Sequence, residues 1–138
     1  MGSRLRQRHR PLKPVKVASA EFCLAEMLLI QKSIKATIDA RLKGHKKLSP
    51  SLKMVMLADA IINEGSELKA WLPWKLWRGD YGRELTEGER EGVIEELVDL
   101  LHFVLEGFID MGIDDPKLLT GYYLAKAKIN KERQQNGY

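Results

Sequence analysis

Apolar residues recur in this chain at intervals of three and four almost throughout, and that period constrains the fold more than any other feature. Phe22, Leu24, Met27, Leu28, Ile30, Ile34 and Ile38 follow one such repeat. It predicts a first helix from about Ser19 to Lys43, with Ser19 as N-cap and Gly44 as stop. "KGHKKLSPS" reads as a loop. Ser49-Pro50 opens a second helix, because proline at the first helical position gives up only a donor that has no partner anyway. That helix is expected to reach about Leu72, where Pro73 limits it. "PWKLWRGDYGREL" then connects to Thr86-Glu87-Gly88-Glu89, a capping box. The third helix runs from there to about Asp110, with Gly112 as its stop. Asp115-Pro116 opens a fourth, in which Gly121 is a candidate interruption. Alternating strand patterns are nearly absent. The expectation is an all-α, four-helix-type bundle with antiparallel neighbours joined by short connections.

A length of 138 residues fits one such domain, over residues 19–138, behind a basic tail over residues 1–18. The formal charge of +4 invites a nucleic-acid reading, but its distribution weakens it. Residues 1–20 hold Arg4, Arg6, Arg8, Arg10, Lys13 and Lys16, six of the 23 basic groups, and no acid. The remainder is mildly acidic, so contact with nucleic acid falls to the tail alone, and a short basic arm is more often simply solvated. Cys23 is the single cysteine and lies in an apolar helical pattern, which suits a packing role in a reducing, cytoplasmic compartment. The N-terminus lacks the apolar stretch of a signal peptide. No apolar run is long enough to span a membrane.

Two short stretches disturb the helical pattern in the same way. "INEGSEL" sets Glu64 and Glu67 three residues apart beside Ile61, Ile62 and Leu68. "EELVDLLHF" sets Glu96 and Asp99 three apart among Leu97, Val98, Leu100, Leu101 and Phe103, all of which could pack into a core. Residues at that spacing share one side of a helix. If the two helices pack antiparallel, four carboxylates converge. In a partly buried site their mutual repulsion amounts to several kcal/mol, which a divalent cation would offset. Hard oxygen donors at this density suit Mg²⁺ or Mn²⁺. The plainer alternative is two pairs on solvated faces. A di-iron carboxylate site needs Glu-x-x-His twice, and Asp99-x-x-His102 is the one approach to it, so His102 reads as a packing or hydrogen-bonding residue.

Aromatic and basic residues supply a complementary half. Trp71, Trp74 and Trp77 recur every three residues with Lys75 and Arg78 between them, a pattern that can stack a base and hold a phosphate, or close the end of a bundle. Lys126, Asn130 and Arg133 share a face of the last helix and can reach a polyphosphate or a base edge.

These residues together resemble a known family. Glu64-x-x-Glu67 followed by Glu96-x-x-Asp99 is similar to the metal motif of the all-α nucleoside triphosphate pyrophosphohydrolases, which include the MazG-like enzymes and the dimeric dUTPases. "EELVDLLHF" resembles the second metal helix of the dimeric dUTPases. "YLAKAKINKERQQNGY" resembles their closing signature, at Tyr123, Leu124, Lys126, Asn130, Arg133, Gln134, Gly137 and Tyr138. "WKLW" resembles their Lys-x-Trp segment, and "MLLIQKSI" their first-helix glutamine motif at Gln31. The resemblance covers residues 22 to 138. It implies a Mg²⁺-dependent hydrolysis of dUTP to dUMP and pyrophosphate by a homodimer. Glu64, Glu67, Glu96 and Asp99 would be metal ligands, Glu64 and Glu67 the catalytic pair, and Glu64 the group that orients or deprotonates the attacking water. Lys75, Lys126 and Arg133 would hold phosphate, Gln31 and Asn130 would contact sugar or base, and Trp74 or Trp77 would stack on the ring. Two positions depart from the pattern. Lys35 stands where the family often has Asn or Asp, and Ala70-Trp71 where it often has Asn-Glu. They leave a dCTP-accepting or broader nucleoside triphosphate pyrophosphohydrolase open as an alternative, and beside it a non-enzymatic helical binding module.

Overall fold

The structure is a computed structural model that describes residues 13–14, 16, 23–41 and 48–137. The described residues form four α-helices and no strand: α1 Cys23–Arg41, α2 Pro50–Ala70, α3 Glu87–Asp110 and α4 Pro116–Asn136. The fold is all-α. Ser19, Gly44, Tyr138 and the arginines of the basic tail lie outside the described residues. Lys13 and Lys16 are described and are exposed.

Local chemistry accounts for the helix ends. The Leu52 amide donates to Ser49 Oγ at 3.2 Å, so Ser49 caps α2 with Pro50 as first helical residue. α2 ends at Ala70, two residues short of the expected Leu72. The amides of Trp71 and Leu72 instead donate to the carbonyls of Leu68 and Lys69, which tightens the last turn. The cause is Pro73, which disfavours the helical conformation of the residue before it. At the start of α3 the capping box closes in both directions. The Glu89 amide donates to Thr86 Oγ1 at 3.3 Å, and the Thr86 amide donates to Glu89 Oε2 at 2.9 Å. At its end Gly112 has φ +79°, a value that favours glycine. The Gly112 amide donates to Ile109 and the Ile113 amide to Phe108, the paired bonds of a Schellman motif. Asp115 caps α4 by accepting from the Lys117 amide at 2.8 Å. Gly121 does not interrupt α4. One interior glycine costs about 1 kcal/mol relative to alanine, too little to break a helix of 21 residues.

The chain divides into two compact units, one holding residues 54–104 and the other residues 19–53 and 105–138. In the second unit Leu28, Leu105 and Leu119 are buried together, with Leu24, Phe108, Ile109 and Ile113 packed against them. Ile113, just past the glycine stop of α3, belongs to this cluster, so the Schellman turn also delivers an apolar contact. In the first unit Leu57 on α2 is buried, as are Gly92 and Glu96 on α3.

Several apolar residues of the helical pattern are not buried, among them Leu97, Val98 and Leu101, which could have packed into a core. Ile94, Leu97, Val98, Leu101 and Val104 form a stripe on α3 with 37–50% exposure. Met27, Leu29, Ile30, Ile34 and Ile38 on α1 are likewise exposed. The helical period therefore marks apolar faces, but it does not say whether another part of the same chain covers them. Among the described residues no helix is long and apolar enough to cross a membrane.

Candidate functional site

Both acid pairs sit in the first unit, Glu64 and Glu67 near the C-terminal end of α2, Glu96 and Asp99 in the middle of α3. Glu64, Glu96 and Asp99 each present a carboxylate oxygen, and these oxygens lie within 4.8 Å of one another. Glu96 is buried, with 8% exposure, Glu64 is half-buried and Asp99 is the most open. Glu67 stands slightly apart. Its Oε1 accepts from Asn63 Nδ2 at 2.9 Å, one turn back on α2. Its charge nevertheless acts on all three of the others.

Crowding shifts the acids in one direction. Burial raises the Glu64 carboxyl above its usual value, and the charges of Glu67, Asp99 and Glu96 add to the rise. Burial also raises Glu96, partly offset by a hydrogen bond from Trp71, with Glu67, Asp99 and Glu95 raising it further. Asp99 is raised by partial burial and by Glu95 and Glu67, against a lowering contribution from His102. A group of oxygens that resists holding its own negative charge is a donor set that gains from a cation. Three carboxylates with no thiolate among them fit a hard divalent ion such as Mg²⁺ or Mn²⁺.

Four neighbours of this site escaped the sequence reading of it. Trp71, just past the end of α2, donates its indole N–H to Glu96 Oε1 at 3.1 Å. Gly92 lies under the same indole, where an added Cβ would overlap ring carbons of Trp71. Asn63 holds Glu67, and Glu95 adds charge behind Glu96 and Asp99. The signal for the first two was present as spacing. Trp71 is four residues past Glu67 and Gly92 four before Glu96, so each falls one turn from an acid.

Two of the tryptophans pair with each other. Trp74 and Trp77 meet edge to face, with ring centroids 5.8 Å apart. Lys69 Nζ lies 4.2 Å from the centre of the Trp74 ring and Lys75 Nζ 5.5 Å from it. Trp77 is largely exposed. Both lysines thus make cation–π contacts with Trp74.

The other expected binding residues belong to the second unit. Gln31 on α1 is buried, with 3% exposure. Lys126, Asn130 and Arg133 are exposed along α4. Lys35, at the departing position one turn past Gln31, places its Nζ 2.8 Å from Asp110 Oδ1, with Glu106 at 3.9 Å and Asp39 at 4.0 Å. Burial alone would lower the Lys35 ammonium. The hydrogen bond to Asp110 and the three acidic charges outweigh it and raise the pKa above the usual lysine value.

Comparison with known proteins agrees with this chemistry. A dCTP pyrophosphatase of Enterobacteria phage T4 is 39% identical over 79 residues, which cover 52% of this chain and 46% of that protein. The match thus spans about half the length of that relative. No solved structure matches the chain. The family model described as dUTPase matches residues 23–120, a stretch that carries both acid pairs and Trp71, Trp74 and Trp77 and that stops before Lys126, Asn130 and Arg133. With the larger part of its length accounted for in this way, the chain belongs to the all-α dUTPase family.

Proposed function

We propose that the chain is a divalent-cation-dependent pyrophosphohydrolase that converts dUTP to dUMP and pyrophosphate. The observation that carries this reading is the meeting of Glu64, Glu96 and Asp99 oxygens within 4.8 Å on two helices of a chain in this family. Those three residues, with Glu67 beside them, would hold Mg²⁺ or Mn²⁺. Such a cation, when bound, neutralises phosphate charge and acidifies a coordinated water. Glu64 orients the attacking water and accepts its proton at a carboxylate oxygen. The water oxygen bonds to the α-phosphorus as the bond to the bridging oxygen of the β-phosphate breaks, and pyrophosphate leaves. Lys75, Lys126 and Arg133 hold the phosphates as they gain charge. Gln31 and Asn130 contact the sugar or base, and Trp74 or Trp77 stacks on the ring. The exposed apolar stripe on α3 supports a homodimer.

The test uses Glu67→Gln and Asp99→Asn separately, each shown to be folded. Pyrophosphate release in the presence of Mg²⁺ is expected to fall by roughly 100-fold or more, given the several kcal/mol a metal supplies. Full activity in either folded variant removes the mechanism. A second reading, dCTP as substrate, is favoured by the likeness to a dCTP pyrophosphatase, and the departures at Lys35 and Ala70-Trp71 leave it open. Turnover across a panel of deoxynucleoside triphosphates, with and without Mg²⁺, separates the two.

A further inference from the structure

Glu96 is the most buried of the four acids, and a buried carboxylate requires donors. One donor is the indole N–H of Trp71, 3.1 Å from Oε1. An indole can donate but cannot accept or ligate, so toward a cation it acts only through where it holds the carboxylate. Gly92 fits the same geometry. It lies one turn before Glu96 on α3, and any side chain there would run into the Trp71 ring. A glycine on one helix and a tryptophan at the end of the other thus have a single joint consequence. The ring seats against α3 one turn ahead of Glu96, with its N–H aimed at that carboxylate.

We infer that Trp71 is a positioning residue for the acid site: its N–H, admitted by Gly92, fixes the Glu96 carboxylate in the arrangement it shares with Glu64 and Asp99. The inference rests on the reading of those acids as cation ligands. Hydrogen-bond partners of ligating groups tune metal affinity in this way, and losing one typically weakens binding 10- to 100-fold.

Trp71→Phe keeps the ring and removes the N–H. Titration of the protein with Mg²⁺ or Mn²⁺ in a calorimeter, without nucleotide, is expected to show about 10-fold weaker binding by the variant. The cation-free variant is expected to unfold at a lower temperature as well, because buried Glu96 loses a donor, so the affinity is the discriminating readout. A purely packing role predicts reduced cation-free stability with affinity unchanged. The wild-type protein supplies a measurement that does not depend on that variant folding. Its three indole N–H signals are resolved by ¹⁵N NMR and assigned by elimination with Trp74→Phe and Trp77→Phe. The Trp71 signal is expected to shift during a Mg²⁺ titration with the same midpoint as the calorimetry. Wild-type binding with equal affinity in Trp71→Phe, or with a Trp71 signal that does not move, overturns this inference alone. Absence of any cation binding by the wild type overturns the metal reading and this inference with it.

Discussion

At the scale of single residues, charge and burial are in tension at two places, and the chain resolves them differently. The acids Glu64, Glu96 and Asp99 are partly buried beside further acidic charge, and all three carboxyls are raised. Lys35, by contrast, carries its own neutralising set in Asp110, Glu106 and Asp39. Glu106 is raised by burial and held back by Lys35. Removing the lysine therefore strands partly buried carboxylates. Lys35→Met is expected to destabilise the protein by roughly 2 kcal/mol, the scale of a charge-assisted hydrogen bond. Without the ammonium the Glu106 carboxyl rises further, so the defect should be full at neutral pH and shrink as pH falls and the acid protonates. Denaturant unfolding of wild type and variant across pH 4–8 measures both the size and the trend. The motif at Lys35 was legible only as a departure from a pattern. Its ion pairs with Glu106 and Asp110 join residues 71 and 75 positions apart in the chain, a relation that helical spacing cannot express.

At the scale of the element, helix boundaries follow from short-range chemistry and were the most legible part of the fold. The α3 start shows why. Thr86 and Glu89 exchange hydrogen bonds within one turn, and Arg83 adds two contacts to the same carboxylate, at 2.6 and 2.8 Å. The Arg83 hydrogen bonds, followed by those of the Thr86 amide and hydroxyl, hold Glu89 down at about 2, below its ordinary 4.5. A carboxylate whose folded pKa is depressed stabilises the fold fully above its unfolded value and loses that contribution as pH falls toward the folded one. The stability difference between wild type and Glu89→Gln should accordingly be constant above about pH 4.5 and diminish from there toward pH 2. Thr86→Ala removes the other half of the box and should cost about 1 kcal/mol at neutral pH. Thermal unfolding followed by circular dichroism reads both. Where an element departed from expectation, a local cause was found: Pro73 shortens α2, and α4 tolerates Gly121.

At the scale of the whole molecule, the described residues leave much apolar surface uncovered. Leu28, Leu57, Leu105 and Leu119 are the large apolar side chains they bury, while stripes on α1 and α3 stay open to solvent. Apolar faces of this extent mark association surfaces more often than solvated ones. Light scattering is expected to give twice the chain mass of 15.8 kDa, and Leu101→Asp, a charge in the middle of the α3 stripe, is expected to shift the population toward monomer. A monomeric wild type removes the homodimer and leaves the acid site untouched. The periodicity that predicted these stripes was correct as a statement about helix faces, and silent about whether their cover comes from the same chain.

The sequence by itself determined the four helices, the caps of α2, α3 and α4, and the placing of two acids on one side of each of two helices, because all of these depend on contacts no more than about one turn long. Tertiary structure decided the rest. It chose Glu64, Glu96 and Asp99 as the acids that meet and left Glu67 bonded to Asn63 beside them. It also turned Trp71 from one of three evenly spaced tryptophans into the partner of Glu96. The register of one helix against another arises from side chains seating in a facing surface, here an indole over Gly92, and residues 21 positions apart carry no mark of that fit in their local pattern.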